Sequence, residues 1–134
     1  MIRLSYVAGR FRHYLPNGEL DLERMVMEVE DERKWAQIIL ECGMMPICPL
    51  ANSFDLMNVI PQDEWITRDL AVLRRYRKDY DTITMRPGWD VDPESKGARA
   101  EYECAVDRKL IVAHGMHGED AVRAFLDELN GKGE

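Results

Sequence analysis

Short apolar runs alternate along the chain with longer segments in which apolar residues recur every three or four positions. A short run bounded by turn residues is typical of a buried β-strand, and the longer spacing is typical of an amphipathic helix. The pattern therefore predicts four strands and four helices in alternation. The predicted strands cover 2–8, 44–48, 80–85 and 110–113, and the predicted helices cover 21–43, 61 to about 76, 95–107 and 118–130.

Strands that alternate with helices form parallel sheets with right-handed crossovers. The expected fold is therefore α/β, a flavodoxin-like doubly wound sheet of four to five mainly parallel strands with helices on both faces. The expected strand order is 2-1-3-4, which places the topological switch point between strands 1 and 3. The loops 9–20 and 86–96 follow these strands and should frame a ligand site. A chain of 134 residues is expected to form one domain, 1–134.

Two local features bear on the third predicted helix. Ser95 precedes it, and a serine hydroxyl at such a position commonly accepts a hydrogen bond from a backbone N–H of the first turn. Ser95 is therefore expected to cap the helix. Gly97 would let another group approach the backbone closely, and Glu101 lies one turn later on the same face. By contrast, the segment 50–60 shows no clear period and is expected to be irregular.

Composition and charge limit the partners of the protein. The net charge of −7 leaves no basic face for a nucleic acid polymer or an anionic membrane. A small anion can still bind, because arginines and helix N-termini act at short range. No apolar run is long enough to span a bilayer, and the first residues lack a signal-peptide pattern. Three cysteines without metal-type spacing favour a reduced, cytoplasmic protein.

Three acidic or phenolic side chains converge on the predicted crevice. Tyr6 lies near the end of strand 1, Asp69 on the second helix and Glu101 on the third. This set suits attack at the anomeric carbon of a sugar, because one carboxylate can trap or stabilise an oxocarbenium-like state while another carboxyl donates a proton or holds the sugar. Spacing alone leaves the ordinary alternative open, in which both carboxylates are solvated on helix surfaces.

Four short motifs give these residues a context. They are Tyr-Val-Ala-Gly-Arg-Phe-Arg over 6–12, Arg-Asp-Leu over 68–70, Pro-Gly-Trp over 87–89 and Ser-Lys-Gly-Ala-Arg-Ala-Glu over 95–101. In these motifs and their order the chain resembles the nucleoside 2-deoxyribosyltransferase-like superfamily, which includes the 2′-deoxynucleoside 5′-phosphate N-hydrolases. It is most similar to the small phage- and bacteria-type members. The resemblance extends from Tyr6 to about Val112, and Ser-x-Gly-x-x-x-Glu is its most specific motif.

The resemblance implies a catalytic role for three residues. Glu101 matches the family's catalytic glutamate, which acts as the nucleophile in a glycosyl-enzyme mechanism. Asp69 matches an aspartate that binds the sugar and assists near the base. Tyr6 matches a tyrosine beside the catalytic carboxylate. The family chemistry needs neither a cofactor nor a metal, so none is expected.

The resemblance also implies a substrate-binding loop. Ser95 matches a serine that binds the 5′-phosphate in the nucleotide hydrolases. Gly9, Arg10 and Arg12 match the loop that lines the sugar and the phosphate. This chain departs from the family at Arg10, where a serine is common, and its loop 9–20 is longer.

Other residues near the predicted site have two interpretations. Gly97 is expected to line the ligand site. Trp89 and Trp65 are expected either to stack on a base or to pack in the core. His114 and His117 have a spacing that suits a metal on a helix, but the glycine between them indicates a loop, and no metal site is predicted.

The sequence thus predicts an N-glycosidase that cleaves the base–sugar bond of a (deoxy)nucleoside or nucleoside 5′-monophosphate through Glu101. The alternatives are a nucleoside deoxyribosyltransferase that exchanges bases and a non-catalytic nucleotide-binding or sensor module on the same fold. In the transferases a neighbouring subunit's C-terminal tail completes the site. The tail 130–134 is short and glycine-rich, which favours hydrolysis. Apolar helix surface and the family's habit predict a homodimer or a larger homo-oligomer.

Overall fold

Four strands alternate with four long helices, as the apolar pattern predicts. The computed structural model describes residues 1–91 and 95–131. The strands are β1 (Leu4–Ala8), β2 (Met45–Ile47), β3 (Thr82–Met85) and β4 (Ile111–His114). The helices are α1 (Leu22–Glu41), α2 (Pro49–Ser53), α3 (Gln62–Leu73), α4 (Lys96–Asp107) and α5 (Glu119–Gly131), with 3₁₀ turns at Phe54–Leu56 and Gly115–His117.

The four strands form one parallel sheet in the order β2-β1-β3-β4. The predicted fold class and strand order are therefore confirmed. Strand β1 lies in the centre, where Tyr6 is in register with Ile47 of β2 and with Ile83 of β3. The chain reverses its direction of winding between β1 and β3, so the loops after these two strands open a crevice at the carboxyl edge of the sheet.

The two faces of the sheet bury separate clusters, because successive side chains of a strand point to opposite faces. On one face, Tyr6 and Ile83 pack with Leu73, which ends α3, and with Ala98 and Ala105 of α4. On the other face, the cluster combines residues of β1, β4, α1 and α5, namely Val7, Ala113, Trp35, Ile38, Ile39, Val122 and Leu126. Tyr6 therefore lies under the two helices that carry Asp69 and Glu101.

The segment 50–60 is not irregular as expected, since it contains most of α2 and a 3₁₀ turn. The reason is a tertiary contact. Glu32 of α1 is fully buried, and its carboxylate accepts the backbone N–H groups of Leu50 and Ala51, each at 2.9 Å. These N–H groups belong to the first turn of α2 and have no partner within a helix. A side chain distant in the sequence therefore caps this short helix, which local patterns cannot reveal.

A buried carboxylate connects the amino ends of β1 and β3. Asp81 is 1% exposed and accepts the backbone N–H of Leu4 at 3.0 Å and that of Arg77 at 2.7 Å. The Arg77 guanidinium also donates to it at 2.9 Å. Burial raises the pKa of Asp81, but these hydrogen bonds outweigh burial and hold the pKa below its usual value. The ionised carboxylate therefore stabilises the edge of the sheet at neutral pH.

Every helix in the described ranges is too short or too polar to cross a membrane.

Replacing Asp81 should weaken the fold. We expect Asp81→Asn to lower the free energy of unfolding by about 1–3 kcal/mol, because the amide leaves a buried backbone N–H without an acceptor. Urea unfolding at pH 7 measures the change. Asp79→Asn is the matched control, since Asp79 is exposed and has a positive φ that asparagine tolerates. Equal unfolding midpoints for the two variants would contradict the role of Asp81.

Candidate active site

A cleft opens at the carboxyl edge of the sheet, where the strand order predicts a ligand site. Its walls come from residues 9–12 after β1, from α2 and the turn after it, from one face of α3, and from the first turns of α4. It holds about 580 Å³ of empty space, its open mouth included.

Glu101 lines this cleft and contacts Tyr6, which does not itself line it. Tyr6 is 1% exposed, and its hydroxyl donates a hydrogen bond to the Glu101 carboxylate. Glu101 is 7% exposed and lines the cleft from the second turn of α4. The small Ala98 lies one turn earlier on α4 and packs in the cluster that contains Tyr6. The sheet and helix are therefore close enough for a strand tyrosine to reach a helix carboxylate.

Burial controls the protonation of this pair. It raises the pKa of Glu101 to about 8, and the negative charges of Asp69 and Glu32 add to the increase. The Tyr6 hydrogen bond and the Arg86 charge act in the opposite direction. Burial and the neighbouring Glu101 also raise the pKa of Tyr6 well above its usual value. At neutral pH the phenol therefore keeps its proton, and most Glu101 carboxyls in the unliganded protein are protonated.

Asp69 faces the cleft from α3, as the prediction placed it. Its side chain is half-buried, and burial raises its pKa to about 6. Within the described ranges its carboxylate has no hydrogen bond, so both of its oxygens can accept one from a ligand. Asp69 and Glu101 thus form a pair of cleft carboxyls whose pKa values differ, an arrangement that suits two different chemical roles.

Ser95 lines the cleft, but it does not cap α4 as expected. It occupies the cap position with φ −76° and ψ 48°, away from the extended backbone that places a cap side chain over the first turn. Ser95 is 3% exposed, and its hydroxyl has no hydrogen-bond partner among the described residues. The hydroxyl is therefore available to a ligand at the positive end of α4.

The loop after β1 contributes Gly9, Arg10 and Arg12 to the cleft. The Arg10 side chain donates from Nε to the Arg12 carbonyl at 3.2 Å, which fixes part of the loop. Gly97 also lines the cleft, and a Cβ there would lie 3.6 Å from Ile66 across the wall. The predicted loop and helix start therefore meet in one cleft.

Arg86 holds this loop in place, and sequence reasoning missed it. The residue is 1% exposed and follows β3. Its guanidinium donates to the Arg10 carbonyl at 2.6 Å and to the Glu28 and Asp31 carboxylates of α1, each at 3.0 Å. Gly9 is required beside it, because a Cβ at position 9 would lie 2.6 Å from Nε of Arg86. The three-residue spacing of Glu28 and Asp31 on α1 could have indicated a partner for a buried cation. The same spacing is also typical of a solvated helix face.

The two tryptophans lie in different environments. Trp65 lines the cleft, and its indole N–H donates to the Met57 carbonyl at 3.3 Å. Trp89 does not line the cleft, and it packs in the core with its ring centroid 4.7 Å from that of Tyr102. The structure therefore places Trp89 away from the other predicted site residues. The cleft also contains Phe11, Leu50, Ser53, Met57 and Gln62, which the sequence did not single out.

Two further features complete the description of the site. Within 1–91 and 95–131, no cluster of three or more His, Cys, Asp or Glu side chains could hold a metal ion. Of the tail 130–134, Asn130 donates from its amide to the Cys42 carbonyl at 3.1 Å, and residues 132–134 lie outside the described residues.

Comparison with known proteins returned no match to a family model, to a curated protein or to a solved structure.

The raised pKa of Glu101 predicts a pH-dependent cost in stability. Glutamate in the unfolded chain ionises near its usual value, whereas Glu101 in the native state keeps its proton until about pH 8. Stability should therefore fall as pH rises between these values. We expect the free energy of unfolding of Glu101→Gln, measured relative to that of the wild type, to increase by on the order of a few kcal/mol from pH 4.5 to pH 9. Thermal unfolding of both proteins at the two pH values measures this increase.

Glu103→Gln is the matched control, because Glu103 is exposed on the same helix. A pH-independent difference between Glu101→Gln and the wild type would show that the native carboxyl ionises normally.

Proposed function

We propose that the protein is an N-glycosidase that cleaves the base–sugar bond of a (deoxy)nucleoside or nucleoside 5′-monophosphate. The observation that carries this proposal is the buried contact between Tyr6 and Glu101, whose carboxyl lines the cleft. Asp69 supplies a second carboxyl with no hydrogen bond to the described residues. The resemblance of the four motifs to the nucleoside 2-deoxyribosyltransferase-like superfamily supports the same chemistry.

In the proposed reaction Glu101 is the nucleophile. Its carboxylate attacks the anomeric carbon, and the bond from that carbon to the base nitrogen breaks with its electron pair leaving on the base. Asp69 holds the sugar and delivers a proton to the departing base. Water then attacks the anomeric carbon of the glycosyl ester and gives a proton to the Asp69 carboxylate. The bond from that carbon to the Glu101 oxygen breaks, which releases the sugar and restores the Glu101 carboxylate. Tyr6 orients that carboxylate through its hydrogen bond.

The reaction needs one proton on the pair of carboxyls. Glu101 must be ionised to attack, and Asp69 must be protonated to act as an acid. With pKa values of about 8 for Glu101 and about 6 for Asp69, the pair carries one proton between pH 6 and pH 8. That proton resides mostly on Glu101 in the resting protein, so the reactive form is the minor arrangement of a singly protonated pair.

The proposed position of a 5′-phosphate is the part of the cleft beside the start of α4. The unpartnered Ser95 hydroxyl lies at the N-terminus of a helix whose first N–H groups favour an anion. Arg10 and Arg12 line the same cleft and add positive charge. This local charge supports an anionic substrate despite the negative total charge of the chain.

Two further properties belong to the proposal. Exposed apolar side chains on α4 and α5, such as Val106 and Phe125, support a homodimer or larger homo-oligomer. The cysteines Cys42, Cys48 and Cys104 are not paired in disulfides, which supports a reduced, cytoplasmic protein.

Release of free base is the direct test of the proposal. We expect the wild-type protein to release base from at least one member of a panel of ribo- and deoxyribonucleosides and their 5′-monophosphates, measured by chromatography. Glu101→Gln should lose at least about a thousandfold in kcat, because the amide cannot form the glycosyl ester. Glu103→Gln should retain wild-type activity.

The outcomes separate the alternatives. Ligand-dependent thermal stabilisation without base release would identify a binding module instead. Transfer of the sugar to an added free base faster than to water would identify a transferase. Full activity in Glu101→Gln would exclude the proposed nucleophile.

The pH profile tests the assignment of the proton. We expect kcat/KM to be bell-shaped, rising with pH near 6 and falling near 8, because the free protein must hold one proton on the pair. Asp69→Asn should lower the rate and abolish the fall above pH 8, since only the ionisation of Glu101 would then matter. A variant that keeps the alkaline fall would show that another group supplies the proton.

A further inference from the structure

One face of α3 lines the cleft. Gln62, Ile66 and Asp69 all line the cleft, and they stand four and three residues apart. Residues at this spacing lie on one helix face. Gln62 lies in the first turn of α3, so it is roughly 10 Å from Asp69 along the helix axis. That distance suits a nucleoside that extends from its sugar to the far edge of its base.

The other walls of the cleft leave this direction for the base. In the proposed reaction the sugar lies between Asp69 and Glu101, and the phosphate lies beside Ser95. Leu50, Met57 and the Trp65 ring also line the cleft, and all three are apolar. Flat apolar walls with a few polar groups are typical of sites for heterocycles.

Gln62 carries the side-chain amide in the cleft wall. The residue is half-buried, and no described side chain or backbone group forms a hydrogen bond with that amide. An amide presents an acceptor on one side and donors on the other. The terminal torsion of glutamine is roughly two-fold, so an unrestrained amide can present these groups in either order.

We propose that Gln62 is the specificity-determining residue for the base, and that its free rotation lets the cleft accept both amino and keto bases. This inference rests on the proposed function for the location of the sugar. An amino base such as adenine offers a donor beside an acceptor, and hypoxanthine offers the same pair in the reverse order. One amide serves both bases by turning over, whereas a fixed amide would select one of them.

Matched substrates test this proposal. The pairs are the 5′-monophosphates of adenine and hypoxanthine and those of cytosine and uracil, with the sugar that the panel identifies. Two further substrates lack the donor–acceptor pair that distinguishes amino from keto bases: benzimidazole replaces the purine, and 2-pyridone, which keeps only the 2-keto oxygen, replaces the pyrimidine. We expect the wild type to cleave the amino and keto members of a pair with kcat/KM values within about fivefold of each other, because the amide pairs with either edge.

Gln62→Leu should then separate base recognition from folding. It should lower kcat/KM for both members of a pair by about tenfold or more, since leucine leaves the polar base edge unpaired. It should not lower kcat/KM for the analogue with the apolar edge. Gln62→Ala repeats the test without the bulk of leucine. Gln37→Leu, at an exposed glutamine of α1, is the control.

The outcomes distinguish this inference from the function on which it rests. An equal loss for polar and apolar edges would overturn Gln62 as the residue that reads the base. A wild type that cleaves only one member of each pair would overturn the rotating amide. Calorimetric titration of the same compounds extends the test to binding. If binding depends on Gln62 but no base is released, the inference holds and the glycosidase proposal fails, whereas no binding of any compound overturns both.

Discussion

The buried guanidinium of Arg86 connects three segments of this structure that are far apart in the sequence. It joins the end of β3 to the loop after β1 and to two carboxylates of α1. Burying such a charge is costly unless it is paired and hydrogen-bonded. Its partners therefore determine where the loop must lie, and Gly9 must lack a side chain for the guanidinium to fit. The cleft wall formed by the loop after β1 is therefore positioned by the need to neutralise and hydrogen-bond this buried cation.

The same cation moderates the electrostatics of the cleft. Glu101, Asp69 and Glu32 place three carboxyl groups around the base of the cleft and the start of α2. Burial raises the pKa of all three, and the Arg86 charge lowers that of Glu101 and Glu32. This balance leaves the pKa of Glu101 at about 8, so its carboxyl can change ionisation state close to physiological pH. A buried carboxyl of this kind reduces the stability of the fold above the pH at which glutamate ionises in the unfolded chain.

The sequence predicts this architecture well because its information is local and periodic. The alternation of apolar runs and amphipathic segments determines the parallel sheet, and the strand order places Tyr6, Asp69 and Glu101 around one crevice. The wrong predictions concern one contact between distant residues and one local backbone conformation. The helix α2 depends on Glu32, eighteen residues before Leu50. The orientation of the Ser95 hydroxyl depends on a backbone conformation that no residue type specifies.

The two ends of the cleft are built in different ways, which bears on how its specificity can change. Tyr6 and Glu101 belong to a central strand and a long helix that share one buried cluster, so a change near them disturbs the core. The opposite end depends on a helix of five residues whose first N–H groups bond to Glu32. Few buried contacts hold such a segment, and its side chains can vary without disturbing the sheet. Gln62 stands where α3 begins, on the same helix as Asp69. The cleft therefore combines walls that belong to the core of the sheet with a wall formed by a short helix, and the first two turns of α3 line it as well.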